Sequence, residues 1–241
     1  MSIKSPLNRQ FGTQFDSVFD VVKSNPMYDK SGGKIPSLDL NFAKSKSLRD
    51  SRSTKNKITF SRASTGTYVG IDGLIKTSPV NLLTYSDQFD QWTVGSNTTV
   101  SPNVAVAPDG TQTADLLYFS QSANTNISQS ITLTQSQTYT FSVYAKAVTP
   151  GTNNKFISYI ASPAAKSSND FETTPEWQRF TFTFTHTGST ASTAVYFLNK
   201  SDSYITNVYF WGAQLEEGTT ATDYIPTGAT ISGAPRFDHD P

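Results

Sequence analysis

Glu216 and Glu217 stand side by side in "YFWGAQLEEGTTATDYIPTG", residues 209–228, with Asp223 close behind. Two carboxylates can work as acid and base on a glycosidic bond only when they flank it about 5 to 9.5 Å apart. In an extended chain successive side chains point to opposite faces, so these neighbours cannot converge on one substrate. Asp170, Glu172, Glu176 and Asp223 could supply a distant partner, but the sequence gives no reason to choose among them. Other catalytic templates are missing: the chain has no cysteine, no GxSxG elbow, no glycine-rich phosphate loop, and only His186 and His239 as imidazoles. No catalytic residue is assigned, and the expectation is a protein without enzymatic activity.

Binding chemistry has more candidates. Sugars are held by aromatic rings lying against their C–H faces, with polar groups nearby for the hydroxyls. Trp177 heads a run in which Phe180, Phe182 and Phe184 have the opposite parity, so Trp177 and Arg179 point away from the phenylalanines. Tyr144 lies on the polar face of its own run. Trp177, Tyr144 and Tyr159 are the candidate glycan platform, the alternative being aromatics that pack against neighbouring subunits.

The elements that must position these side chains are strands. At 241 residues, 12% aromatic and 16% charged, with mean hydropathy −0.39, the composition is that of a β-rich chain of one or two domains without a membrane-spanning run. "QTYTFSVYAKAV" (137–148) sets Tyr139, Phe141, Val143, Ala145 and Ala147 on one face and Thr140, Ser142, Tyr144 and Lys146 on the other, a period no helix can use. Further strands are predicted at 98–106, 113–119, 126–133, 155–160, 193–198 and 204–211. Eight or nine short antiparallel strands in about 145 residues predict a β-sandwich, most simply a jelly roll.

Upstream the pattern differs. Phe11, Phe15, Val18, Phe19 and Val22 recur on one face of a helix that Pro26 stops, a surface for packing on the body or docking on a partner. Gly-Gly and Pro at 29–37 mark a joint. "LDLNFA" reads as a strand, the basic stretch 44–57 as a solvated loop, and Asp72–Gly73 as a hairpin turn. The expected segments are an N-terminal anchor (1–37), a small β segment (38–80), the sandwich (81–228) and a tail (229–241). Residues 1–76 carry thirteen basic against six acidic groups, and 77–241 six against thirteen, so the neutral total hides two unlike halves. The basic half suits an acidic docking surface; no aromatic-interleaved motif points to nucleic acid. Without a signal-peptide core or cysteines, assembly in a reducing compartment is expected.

In order, "NLLTYSDQFDQW" (81–92), "PDGTQTADLL" (108–117), "YTFSVYAKA" (139–147), "WQRFTFTF" (177–184) and "VYFWGAQLEEGTTATDYIPT" (208–227) resemble the jelly-roll modules, akin to carbohydrate-binding modules, of tailed-bacteriophage structural proteins. The segment from Leu38 to Thr77 resembles what precedes such modules in phage tail and fibre proteins. In these proteins a "PRFDHDP"-like phrase usually follows the "DGLIKT" segment, whereas here it stands at 235–241; a longer natural product or a further module is the expectation. The resemblance implies a virion location and a tail fibre, or its proximal part, anchored by its N-terminus. It also implies a homotrimer, other virion proteins as partners, and host-surface glycan as ligand. A head fibre or capsid decoration protein is the alternative, and a glycan-degrading enzyme the alternative of another class. Trp92 and Trp211, in the phrases that open and close the module, are expected in its core. No cofactor is expected apart from a structural calcium such modules often hold, with Asp87, Asp202 and Glu216 as candidate ligands.

Overall fold

The structure, a computed structural model, describes residues 48–237 apart from 51–52, 59, 121–124, 150–154, 162–165, 169, 190 and 200–205. The predicted helix of Phe11, Phe15, Val18, Phe19 and Val22, the "LDLNFA" strand and Asp202 lie outside the described residues. The chain forms two compact units, Met1–Ile58 and Thr59–Pro241.

In the first unit, β1 (Arg49–Asp50) pairs antiparallel with β2 (Ser53–Lys57), and the Ile58 N–H donates to the Leu48 carbonyl at 3.0 Å. Part of the basic stretch read as a loop is therefore a hairpin. Charged and polar residues are no bar to an antiparallel ribbon, whose bonds are made by the backbone.

The second unit begins with the hairpin of β3 (Thr67–Val69) and β4 (Ile75–Thr77), turned at Asp72–Gly73 with Gly73 at φ 73°. Lys76 pairs with Asp72 at 2.9 Å and holds that carboxyl below its usual range. There follow β5 (Val80–Asn81), a 3-10 turn (Phe89–Gln91), β6 (Thr93–Val94), β7 (Thr98–Ala105), β8 (Ala114–Phe119), β9 (Asn126–Leu133) and β10 (Thr138–Ala147). Then come β11 (Lys155–Ile160), β12 (Lys166–Ser167), β13 (Phe171–Glu172), β14 (Gln178–Thr185), β15 (Ala191–Leu198), β16 (Thr206–Glu217) and β17 (Ser232–Gly233).

Two antiparallel sheets make the jelly-roll sandwich. One has five strands in the order β14-β10-β16-β8-β7; the other has six, β12-β11-β15-β9-β6, with β13 also pairing β11. Of the phenylalanines the alternation selected, Phe141 and Phe184 are buried between the sheets and Phe180 and Phe182 are partly buried against the same core. Phe89, Phe119, Phe141, Phe156, Phe197 and Phe210 are fully buried, and Phe156 meets Phe210 in a T-shaped contact with centroids 4.8 Å apart. Each such aromatic removes a large apolar area from water, and edge-to-face contacts add a further margin. Trp92 joins this core, stacked on Phe197 at 5.8 Å.

The chain enters and leaves the sandwich side by side. β5 pairs with β17, the Gly233 N–H donates to the Arg62 carbonyl at 2.7 Å, and the Ala234 N–H to the Pro79 carbonyl at 2.8 Å. The C-terminal phrase thus returns in space to the "FSRAST" and "DGLIKT" segments about 160 to 170 residues earlier in sequence.

Candidate functional site

The two outer faces of the sandwich differ in what covers them. On the five-stranded sheet, Thr140, Ser142, Gln214 and Glu216 point away from the core, as their alternation with Phe141, Val143 and Leu215 requires, yet all are at most 1% exposed. Residues 219–228 lie across them. The Ile225 N–H donates to Gln214 Oε1 at 2.7 Å, the Thr222 N–H to the Glu216 carboxylate at 3.1 Å, and Arg179 Nη1 to the Thr222 carbonyl at 2.6 Å. Gln214 Nε2 also donates to Glu216. The polar groups of this face are committed to holding a strap.

β16 carries a bulge there. Trp211 lies opposite Tyr144 and Gln214 opposite Ser142, so β16 spends one residue more than β10, with Gly212 at φ 65°. A Cβ on Gly212 would touch the Tyr224 and Tyr144 rings at 3.3 and 3.4 Å. The bulge aims Trp211 outward, and it is buried beneath Tyr224 (4.4 Å) and beside Tyr144 (5.5 Å), in a second small core with Ala107 and Ala114. Trp211 is buried as expected, but outside the main core. Trp177 packs on the same cluster, and its indole N–H donates to the Val106 carbonyl at 3.0 Å; the Trp211 indole N–H donates to Thr113 Oγ1, also at 3.0 Å. Arg179 sits over the Tyr144 ring at 5.4 Å. The structure therefore brings together Trp177 and Tyr144, and gives them a roof to hold up. Glu217 is exposed and Glu216 buried, on opposite faces of β16.

Asp87 and Asp115 lie where the 3-10 turn meets β8. Asp115 is fully buried; its carboxylate accepts the Phe89 N–H at 2.7 Å and the Asn103 N–H at 2.9 Å. Desolvation pushes its pKa up to about 6, with Asp90 and Asp87 adding to the rise and the two N–H bonds opposing it; burial also raises Asp87. No three His, Cys, Asp or Glu among the described residues are grouped to hold a metal ion. Glu216 has its oxygens turned to Thr222 and Gln214.

The Asp115 shift carries a pH prediction. The folded state binds this proton more tightly than the unfolded chain, so the stabilisation is complete near and below pH 3.8 and is lost as pH rises through about 6. Two pKa units correspond to about 3 kcal/mol. The urea midpoint is expected to fall from pH 4 to pH 6.5, and Asp115→Asn to flatten most of that slope. A wild-type midpoint that holds level or climbs across this range contradicts it.

The outer face of the six-stranded sheet is different. Phe197 and Val195 of β15 face the core, so Tyr196 between them faces out, and by register it lies beside Tyr159 of β11 and Ser128 of β9. Ser128 in turn lies beside Thr93 of β6. These four residues form one cross-strand row spanning three interstrand spacings, about 14 Å. The tyrosine rings are 5.9 Å apart at 62°, both partly exposed. Rings inclined at 62° cannot both lie flat under one sugar; one can offer its face as a platform while the other walls the side. Exposed Ser130 and half-buried Ala194 form the neighbouring row, and among the described residues no hydrogen-bonded strap crosses it. Of the three aromatics singled out in the sequence, only Tyr159 lies here. Tyr196 was missed, though the alternation of "TAVYFL" marks it as an outward residue.

A family model for a carbohydrate binding domain matches residues 83–203. No curated protein sequence matches the chain. Among solved structures, the chain is similar to the xylan-binding CBM22-1 domain of Paenibacillus barcinonensis Xyn10C, at 13% identity and TM-score 0.45 over 59% of this chain and 94% of that one. It is also similar to TmCBM61 in complex with β-1,4-galactotriose (14%, 0.39, 57% and 99%). A third is the enzymatically active domain of bacteriophage CBA120 tailspike protein 4 (12%, 0.44), of which the match spans 21% while covering 57% of this chain.

Proposed function

Because the chain belongs to the carbohydrate-binding domain family, matched over residues 83–203, we propose that its sandwich binds glycan on the outer face of the six-stranded sheet and performs no catalysis. The observation that carries the placement is the row of partly exposed Tyr159 and Tyr196 and exposed Thr93, with buried Ser128 between Tyr196 and Thr93, on a face that no hydrogen-bonded strap crosses among the described residues. Aromatic carbon meets the C–H faces of the sugar, and the hydroxyls of exposed Thr93 and Ser130 exchange hydrogen bonds with those of the glycan.

The whole protein we read as a tailed-phage virion component, a tail fibre or its proximal part. Residues 1–37 join it to other virion proteins, its copies form a homotrimer, and the sandwich is displayed toward host-surface glycan. The support is the ordered series of phrases from Leu38 to Thr227. A head fibre or capsid decoration protein is the second reading, resting on the same phrases; immunogold labelling of the virion separates the two.

The binding reading is tested with the purified full chain on a panel of neutral and acidic polysaccharides by affinity electrophoresis, with reducing-sugar release measured in parallel. Retardation by at least one polysaccharide without sugar release is expected. Unretarded migration on the whole panel overturns the binding, and released sugar overturns the absence of catalysis.

A further inference from the structure

The segment before the β3–β4 hairpin and the returning C-terminal phrase meet at a place the sandwich does not use. An open cavity of ≈ 370 Å³ is lined by Phe60, Ser61, Arg62 and Arg236. The two arginines come from opposite ends of the unit and are fixed by backbone carbonyls: Arg62 Nε donates to Ser64 O at 2.8 Å, and Arg236 Nη1 to Thr67 O at 3.2 Å. They pack together over Gly66, where a Cβ would lie 2.7 Å from Arg62 Nη1 and 3.0 Å from Arg236 Cδ. On its other side the Arg62 guanidinium rests on Gly233, where a Cβ would come within 2.7 Å of Nη2.

Two neighbouring arginines repel, and among the described residues no carboxylate pairs with either. The ion pairs among the described residues are Lys76–Asp72 and Lys155–Glu172, and neither arginine takes part. Arg62 Nη2, which lies against Gly233, is buried and has no acceptor among the described residues. A guanidinium is the side chain best shaped to grip a carboxylate or phosphate through two parallel N–H bonds, and holding it in advance by carbonyl contacts lowers the entropy lost on binding.

We propose that Arg62 and Arg236 form an oxyanion-binding site, taking the carboxylate or phosphate group of a ligand at the base of the β3–β4 hairpin. It is separate from the tyrosine row and does not depend on it. The same chemistry could come from a uronic acid in an acidic glycan or from a phosphate group, and the test distinguishes them.

The full chain, ¹⁵N-labelled, is titrated at low ionic strength with sodium phosphate and separately with sodium glucuronate, following the arginine Nε–H resonances, with sodium chloride as the control for screening. Saturable shifts at Arg62 and Arg236 are expected for at least one anion. Arg236→Gln should weaken that binding tenfold or more, while Arg236→Lys, which keeps the charge and loses the fork, should fall between. Unchanged thermal melting of both variants shows that the fold is intact. Binding of glucuronate alone identifies an acidic sugar as the source, and binding of phosphate alone a phosphate group; either supports the site. Shifts no larger than those with chloride, equal affinity in Arg236→Gln, or glucuronate binding lost in Tyr196→Ala but kept in Arg236→Gln overturns it.

Discussion

Asn81→Ala is expected to cost about 4 kcal/mol or more of stability, since four backbone groups lose their partner and each buried one left unmet costs about 1 to 3 kcal/mol. The side chain is fully buried. Its Nδ2 donates to the carbonyls of Ala213 and Ile225, both at 3.0 Å, and its Oδ1 accepts from the N–H groups of Leu83 and Leu215, both at 3.1 Å. One amide therefore ties three segments together: β5 where the chain enters the sandwich, the closing strand β16 just past its bulge, and the strap over the outer face. Alanine fills none of these valences. With native stabilities of about 5 to 15 kcal/mol, such a loss removes a large share of the total. The contrast is Ser78→Ala, which gives up a single bond from Ser78 Oγ to the Ala234 carbonyl at 3.1 Å and should cost about 1 kcal/mol. Urea denaturation followed by far-UV circular dichroism measures both. An Asn81→Ala midpoint no lower than that of Ser78→Ala rules out the clamp.

Asn81 also shows where sequence reading stops. The strands of the sandwich were legible because period-two alternation is local: Phe141 and Val143, or Phe180, Phe182 and Phe184, declare a buried face within a few residues, and β9 and β11 occupy the predicted spans. What an asparagine in "PVNLL" does depends on Ala213 and Ile225, more than 130 residues away, and no local pattern encodes that. The same holds for the strap. "GTTATDYIPTG" reads as a polar exit, yet its backbone is bound by Gln214, Glu216 and Arg179, and this turns Trp177 and Tyr144 from an apparent sugar platform into the support of a second core. Tyr159 could be recognised as aromatic but not as the neighbour of Tyr196, because pairing is set by register between β11 and β15. The meeting of Arg62 and Arg236 is more remote still, created by the return of the chain beside its own starting point.

The pairing of the tyrosines sets the largest functional effect. The double variant Tyr159→Ala/Tyr196→Ala is expected to weaken glycan binding about a hundredfold, close to 3 kcal/mol, with each single variant losing part of that. The rings differ in duty, since at 62° only one can lie under a sugar while the other bounds it, so one single variant should lose more than the other. Neither side chain belongs to the buried core, and such surface truncations usually alter stability little, so melting temperatures should stay near that of the parent protein. Trp177→Ala should behave in the opposite way. It removes an indole that packs on the cluster of Ala107, Ala114 and Trp211 and bonds the Val106 carbonyl, so it lowers stability by about 2 kcal/mol while leaving the affinity of the remaining folded protein unchanged. Isothermal titration with the tightest polysaccharide fragment, beside thermal melts of all four variants, reads both quantities. If Trp177→Ala abolishes binding and the double tyrosine variant does not, the glycan lies on the five-stranded sheet, and the strap would have to open to admit it.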